Sequence, residues 1–210
     1  MYTLYGAARS GSAAIEMALK CCGADYQLMS ISSWGDEPDK AQLNRVNPLG
    51  QVPVLERPDG TVLSESAAIL IALGLEYPAS GLLSADPATR AQQLRALVFI
   101  TANCYAAIGI IDYPERWLPT DEKAPADALI QGATRRLHGY WDTFCDVFMA
   151  TPAWRPDTPG AVEILACVVS HWSGARDHLQ TSRPEVHAAL LALDQHPRLQ
   201  PVRQRHWPDE

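Results

Sequence analysis

The sequence predicts an α/β domain followed by an all-α domain, on three observations. Residues 2–5 and 26–31 are rich in β-formers and enclose a stretch with apolar residues at helical spacing. Residues 54–55 and 61–63 are short apolar runs on either side of Arg57-Pro-Asp-Gly60, which has Pro and Gly where a type I turn favours them. From residue 87 onward no strand pattern recurs.

The first strand feeds a helix whose apolar positions run through Ala13-Ala-Ile-Glu-Met-Ala-Leu-Lys20. Ser10 or Ser12 can cap its start, and Gly23 can take the left-handed position beyond its end. The next strand must run parallel to the first, because a helix crossover joins them. Residues 32–46 are polar and read as a loop containing Trp34, then a short helix over 38–46. Asn47-Pro-Leu-Gly-Gln-Val-Pro-Val-Leu55 follows, where two prolines bracket a glycine before an apolar strand begins. Pro53 has no N–H for a sheet ladder, so it fits a strand mouth turned toward a cavity. A cis Val52–Pro53 bond would do this and leave the Val52 backbone groups available. After the hairpin, Ser64 or Ser66 can cap the apolar helix that begins near Ala67.

The small, turn-forming residues 78–87 mark the domain boundary, giving a first domain over 1–78, a linker over 79–86 and a helical domain over 87–210. Helices are expected at 87–112, 124–149, 160–178 and 184–195, separated by proline-containing loops.

Composition excludes several classes of function. The chain of 210 residues is 47% hydrophobic and 20% charged with a net charge of −7, which suits a folded soluble protein. Residues 1–80 hold 5 basic and 9 acidic side chains and the remainder 12 and 15, so no basic cluster is available for a phosphate backbone. The longest apolar stretch, 96–111, is interrupted by Thr101, Asn103 and Gly109 and falls short of the ~20 residues that cross a bilayer. The N-terminus lacks a basic region followed by an apolar one, so a cytoplasmic location is expected. Cysteines 21, 22, 104, 145 and 167 have no CxxC spacing, which argues against a disulfide framework or a zinc site. All six histidines lie after residue 137 without a metal-binding motif, and solvated or capping roles are expected for them. No metal is expected.

The order of elements in the first domain is that of a thioredoxin-like domain. With a helical domain behind it, the chain resembles the glutathione transferase family, as a bacterial, serine-type or atypical member. Two segments carry the resemblance: 47–55 looks like the family's N-P-x-G-x-V-P-x-L, and Ser64-Glu-Ser-Ala-Ala-Ile-Leu70 looks like its x-[ED]-S-x-A-I. The resemblance implies glutathione as co-substrate, conjugated to a small apolar electrophile, in a cytoplasmic homodimer with a detoxifying role and no nucleic acid, membrane or metal. The alternatives are a glutathione-dependent isomerase or dehalogenase, and a non-catalytic glutathione-binding or protein-interaction module.

The residues support this reading physically. Glutathione is an extended, anionic peptide, and an extended peptide pairs with an exposed strand edge; Val52, ahead of Pro53, offers one. Its γ-glutamyl end carries a carboxylate and an ammonium group. Ser66 at a helix N-terminus suits the first and Glu65 the second. The plainer alternative makes Ser66 an N-cap and Glu65 a first-turn acid. The thiol must become a thiolate to act as a nucleophile, and a hydroxyl at the start of the first helix, aided by the helix dipole, can stabilise it. Ser10 ranks ahead of Ser12, since Arg9-Ser10 looks like the serine-type members. Tyr5 reads as a strand aromatic.

No cysteine lies in that loop, so transfer or isomerisation fits better than thiol-disulfide exchange. The lysine that the cysteine-type members carry after the second strand is missing, which leaves Trp34, Lys40 or Gln51 for the glycine carboxylate. Asn103, in an otherwise mostly apolar helical run, either faces the cleft or is satisfied within the bundle. Tyr105, Tyr113, Trp117 and Trp172 either line a second-substrate pocket or belong to the core. Gly160 and Glu163 stand imperfectly where the family has a capping box.

Overall fold

The computed structural model describes the chain except Ser33, Gly35, Thr120, Asp121, Asp209, Glu210 and the side chains of Glu37 and Pro38. Strands β1 (Tyr2–Gly6), β2 (Tyr26–Ser30), β3 (Val54–Glu56) and β4 (Val62–Leu63) form one sheet in the order β2-β1-β3-β4. β1 and β2 are parallel, as the crossover through α1 (Ser12–Cys22) requires. β3 lies antiparallel on the other side of β1, and β4 completes the hairpin, with the Gly60 N–H donating to the Arg57 carbonyl at 2.9 Å. The period of two along β1 sends Tyr2 and Leu4 into the main core with α1 and α3 (Ser66–Glu76). It sends Tyr5 to the opposite face, where it packs with Ile31, Val54 and Leu43 of α2 (Glu37–Val46). This is the thioredoxin-like arrangement, a mixed sheet with helices on both faces.

Two caps differ from the expectation. Gly11 holds the N-cap position of α1 and no side chain caps it; Ser10 Oγ instead accepts the N–H of Ser12, the first helical residue, at 3.2 Å. At α3 the cap is Glu65, again without a side-chain bond, and Ser66 lies inside the helix. The other end of α1 follows the expectation, with Gly23 at φ 63°.

From residue 87 on, the described residues are helical or loop. α4 (Pro87–Phe99), a π-helical stretch (Ile100–Tyr105) and α5 (Ala106–Asp112) run on as one 26-residue helix, long and apolar enough by length and composition to cross a membrane. This corrects the expectation that the apolar stretch is too short. In the fold its Ala96, Leu97, Ile100, Cys104, Ala107 and Ile108 are buried in the core. α6 (Lys123–Phe144) continues into a π-helical turn (Cys145–Met149). The helix expected over 160–178 is two, α7 (Ala161–Val169) and α8 (Ala175–Ser182), because Ser173 and Gly174 sit at φ 56° and 72°, which no right-handed helix accommodates. α9 (Pro184–Asp194) follows the prediction, and α10 (Gln200–His206) adds a helix the pattern did not disclose.

The sheet half and the helical half share one core, in which Leu4 and Ile15 belong to the same cluster as Leu97 and Val162. Buried acids fasten its edges. Glu163 accepts the N–H groups of Gly160 at 2.8 Å and Arg155 at 2.5 Å, which is half a capping box, since Gly160 has no side chain for the other half. Glu16, 2% exposed, accepts from the Tyr26 hydroxyl, lies 2.8 Å from His206 Nε2 and pairs with Arg205, tying α10 to α1. Burial alone would raise this carboxyl, but the bonds from His206 and Tyr26 and the charge of Arg205 bring it below its ordinary value.

Three histidines expected to be solvated or capping are partners of acids instead: His206 with Glu16, His171 with Asp194 and His178 with Asp142. All five cysteines are free thiols.

Candidate functional site

A cleft of about 630 Å³ opens where the starts of α1 and α3 face the helix that ends at Asp112. Its sheet-side wall holds Arg9, Ser10, Gly11, the 47–53 loop, Glu65 and Ser66. Its helical wall includes Thr101, Tyr105, Asp112, Arg116, Trp117 and Trp172. The structure therefore brings Ser10, Gln51, Val52, Pro53, Glu65 and Ser66 together around one space.

The Val52–Pro53 bond is cis. The β1–β3 register runs Thr3–Glu56, Leu4–Leu55, Tyr5–Val54, so Val52 lies outside the ladder at the cleft margin. Asn47 shapes this loop, a role sequence reasoning missed: its amide donates to the Gln51 carbonyl at 2.8 Å and its side-chain oxygen accepts the Leu49 N–H at 3.2 Å. The signal was the Asn at the head of the motif, a residue type that bonds to nearby backbone.

Backbone conformation also singles out this region. Among the described residues the non-glycine positions with positive φ are Arg9 (58°), Glu65 (65°) and Ser173 (56°). The first two line the cleft, and the third follows Trp172, which also lines it. Such conformations cost about 1–3 kcal/mol each and gather where a site demands them.

Ser10 is 4% exposed yet contributes to the cleft wall. Its hydroxyl donates to the Ala7 carbonyl at 2.7 Å, lies 2.8 Å from Ser12 Oγ, and accepts the Ser12 N–H. Ser12 is fully buried beneath it, with Oγ 3.1 Å from the same Ala7 carbonyl, and is not part of the wall. There it holds the loop from behind Ser10. The Asn103 amide donates to the Phe99 carbonyl at 3.0 Å along its own helix, and the side chain is not among those lining the cleft. Lys40 is also absent from the wall, whereas Trp34 and Gln51 belong to it. Tyr5 donates to Glu56 at 2.9 Å, consistent with a packed strand aromatic.

The helical wall is aromatic but not purely apolar. Trp172 packs edge-on against Tyr105, and Arg116 lies over the Tyr113 ring at 3.9 Å. Desolvation raises the Asp112 carboxyl above its ordinary value.

The Ser10–Ser12 arrangement depends on Gly6, because a Cβ there would overlap the Ser12 side chain. Gly6→Ala should cost about 1–3 kcal/mol in a denaturant titration, as overpacking does, and should weaken ligand binding in the cleft. An unaffected stability would show that α1 moves freely relative to β1.

Away from the cleft, donor atoms of Cys167, His171 and Asp194 lie within 4.8 Å of one another. The guanidinium of Arg176 pairs with both Asp194 oxygens and donates to the Cys167 carbonyl at 3.1 Å. This cation already supplies the positive charge that the carboxylate needs.

Residues 12–75 match the family model "Glutathione S-transferase, N-terminal domain". The GST-like protein YncG of Escherichia coli (strain K12) is 28% identical over 210 residues, covering 98% of each chain. Maleylacetoacetate isomerase of Pseudomonas aeruginosa is 38% identical over 128 residues, covering 59% of each. Among solved structures, a glutathione transferase homologue from Sulfitobacter with bound glutathione superposes with a TM-score of 0.81 at 19% identity, covering 98% of each chain. Residues 12–75 thus match the glutathione S-transferase N-terminal domain, and over its whole length the chain is similar in sequence to a GST-like protein and in fold to a glutathione transferase homologue.

Proposed function

We propose that the protein binds glutathione in this cleft and presents its sulfur, as a thiolate, to a small electrophile held against the helical wall. One observation carries the reading: the Val52 edge, the Glu65–Ser66 start of α3 and Ser10 at the start of α1 all open on the same space. The Val52 N–H and C=O would pair with the peptide backbone. Ser66 and the first N–H groups of α3 would hold the γ-glutamyl carboxylate and Glu65 its ammonium group, with Gln51 and Trp34 near the glycine end. Ser10 would turn its hydrogen from Ala7 toward the sulfur while Ser12 keeps the Ala7 carbonyl bonded. The first 78 residues would serve as the glutathione domain and residues 87–210 as the second-substrate domain, joined by 79–86, in a cytoplasmic homodimer.

A second reading, glutathione-dependent isomerisation, is favoured by the polar part of the helical wall. Arg116 on that wall, with Arg9 opposite it on the sheet side, suits a substrate bearing carboxylates better than a purely apolar one. The thiolate would add to such a substrate and leave again after bond rotation. The similarity to an isomerase over 128 residues points the same way.

Calorimetric titration with glutathione, followed by assays of an apolar halide and an unsaturated dicarboxylate, separates the readings. Binding with turnover of the halide supports conjugation. Binding with cis–trans conversion of the dicarboxylate supports isomerisation. Binding with neither supports a non-catalytic module, and no binding contradicts the proposal.

A further inference from the structure

Tyr105 ends the π-helical stretch on the helical wall, and its ring packs on Trp172 with centroids 5.5 Å apart. From there its hydroxyl reaches across the cleft to the start of α1. A Cβ added to Gly11 would overlap that hydroxyl and would lie 3.4 Å from Pro53 Cδ. The hydroxyl therefore rests against Gly11, next in sequence to Ser10, in a place open only because residue 11 has no side chain. A π-helical insertion turns the residues after it about the helix axis, and such insertions recur at functional sites.

Two further observations give this hydroxyl a task. Among the described residues, no group hydrogen-bonds to it, whereas the Ser10 hydroxyl at the same end of the cleft is already engaged with Ala7 and Ser12. Burial, with the nearby Asp112 and Glu65 carboxylates, raises the Tyr105 phenol above its ordinary value, so at neutral pH it is a donor and not a base.

The geometry points to Tyr105 as a second hydrogen-bond donor to the glutathione sulfur, acting from the helical wall opposite Ser10; this rests on the glutathione reading above. The thiol loses its proton to solvent, the phenol keeps its own, and no bond to Tyr105 is made or broken. The two walls then share the stabilisation of one charge, so the nucleophile forms only where both domains meet.

The test uses the full chain and two variants. Tyr105→Phe keeps the ring and its packing on Trp172, and Gly11→Ala keeps the phenol but displaces it. Bound glutathione is followed by its thiolate absorbance against pH, with affinity measured by calorimetry. Both variants should raise the apparent pKa of the bound thiol by about one unit, a tenfold loss of thiolate at a pH below that pKa. Affinity for the uncharged thiol form should hold, since only the charged sulfur gains from the donor. An unmoved thiol pKa in Tyr105→Phe overturns the proposal, as does a shift confined to Gly11→Ala, which would report damage to α1. If the wild type binds glutathione and only the Tyr105→Phe pKa stays put, the glutathione reading survives alone. If the wild type takes up no glutathione, both fall.

Discussion

Asp194→Asn should lower the stability of the protein by about 3–5 kcal/mol, the cost of stranding a buried charge, and its Tm by roughly 10 °C. Asp194 is 2% exposed at the end of α9, and the guanidinium of Arg176 from α8 lies against both of its oxygens. His171 Nε2 lies 3.4 Å away and Cys167 Sγ 3.2 Å. The asparagine leaves Arg176 charged and half-compensated. Arg176→Gln added to Asp194→Asn should recover part of the loss, because the two changes share one interaction.

The same pair has a pH signature. Burial alone would raise the Asp194 carboxyl, yet the bonds from His171 and Arg176 and the charge of Arg176 carry it well below the ordinary carboxylate range. A depressed folded-state pKa contributes stability above the unfolded value of about 3.9, lost as pH falls toward the folded one. Glu16 acts in the same direction. The wild type should therefore lose stability below about pH 4, and Asp194→Asn should flatten part of that slope. A loss below about 1 kcal/mol on substitution would mean that the pair behaves as a solvated surface bridge.

Ser66→Ala should weaken glutathione binding by about 10- to 100-fold, since a hydrogen bond to a charged group is worth roughly 1.5–3 kcal/mol. Ser66 is 6% exposed, opens on the cleft and occupies the first position of α3. It makes no cap bond within its helix, so stability should be nearly unchanged. That separation makes the variant informative: equal affinity would remove Ser66 from the site, and unfolding would mean its role lies in the helix.

The fold was largely legible because its signals are local. The helix crossover at Ala13–Lys20 dictates a parallel pair, Arg57-Pro-Asp-Gly60 dictates a hairpin, and Gly23 stops α1. The break between α7 and α8 was not legible, because Ser173 takes a positive φ although serine carries no preference that would announce one. The sheet-side wall was readable from the loop that Pro48 and Pro53 define and from Glu65-Ser66. The order of the two nearby serines came only from the likeness of Arg9-Ser10 to the serine-type members, since residues two apart at a helix start carry no local signal of which one faces the cleft. The helical wall was the least readable. A π-helical stretch carries no sequence signature, and it breaks the 3.6-residue arithmetic by which the facing of Asn103 and Tyr105 would be judged.

The most direct test of the account is the ultraviolet absorbance of glutathione bound to the protein near neutral pH. The account predicts a thiolate band at a pH where free glutathione is mostly protonated, diminished in Ser10→Ala and in Tyr105→Phe. Binding of glutathione with no thiolate band in the wild type would contradict it, leaving a chain that holds the tripeptide without activating it.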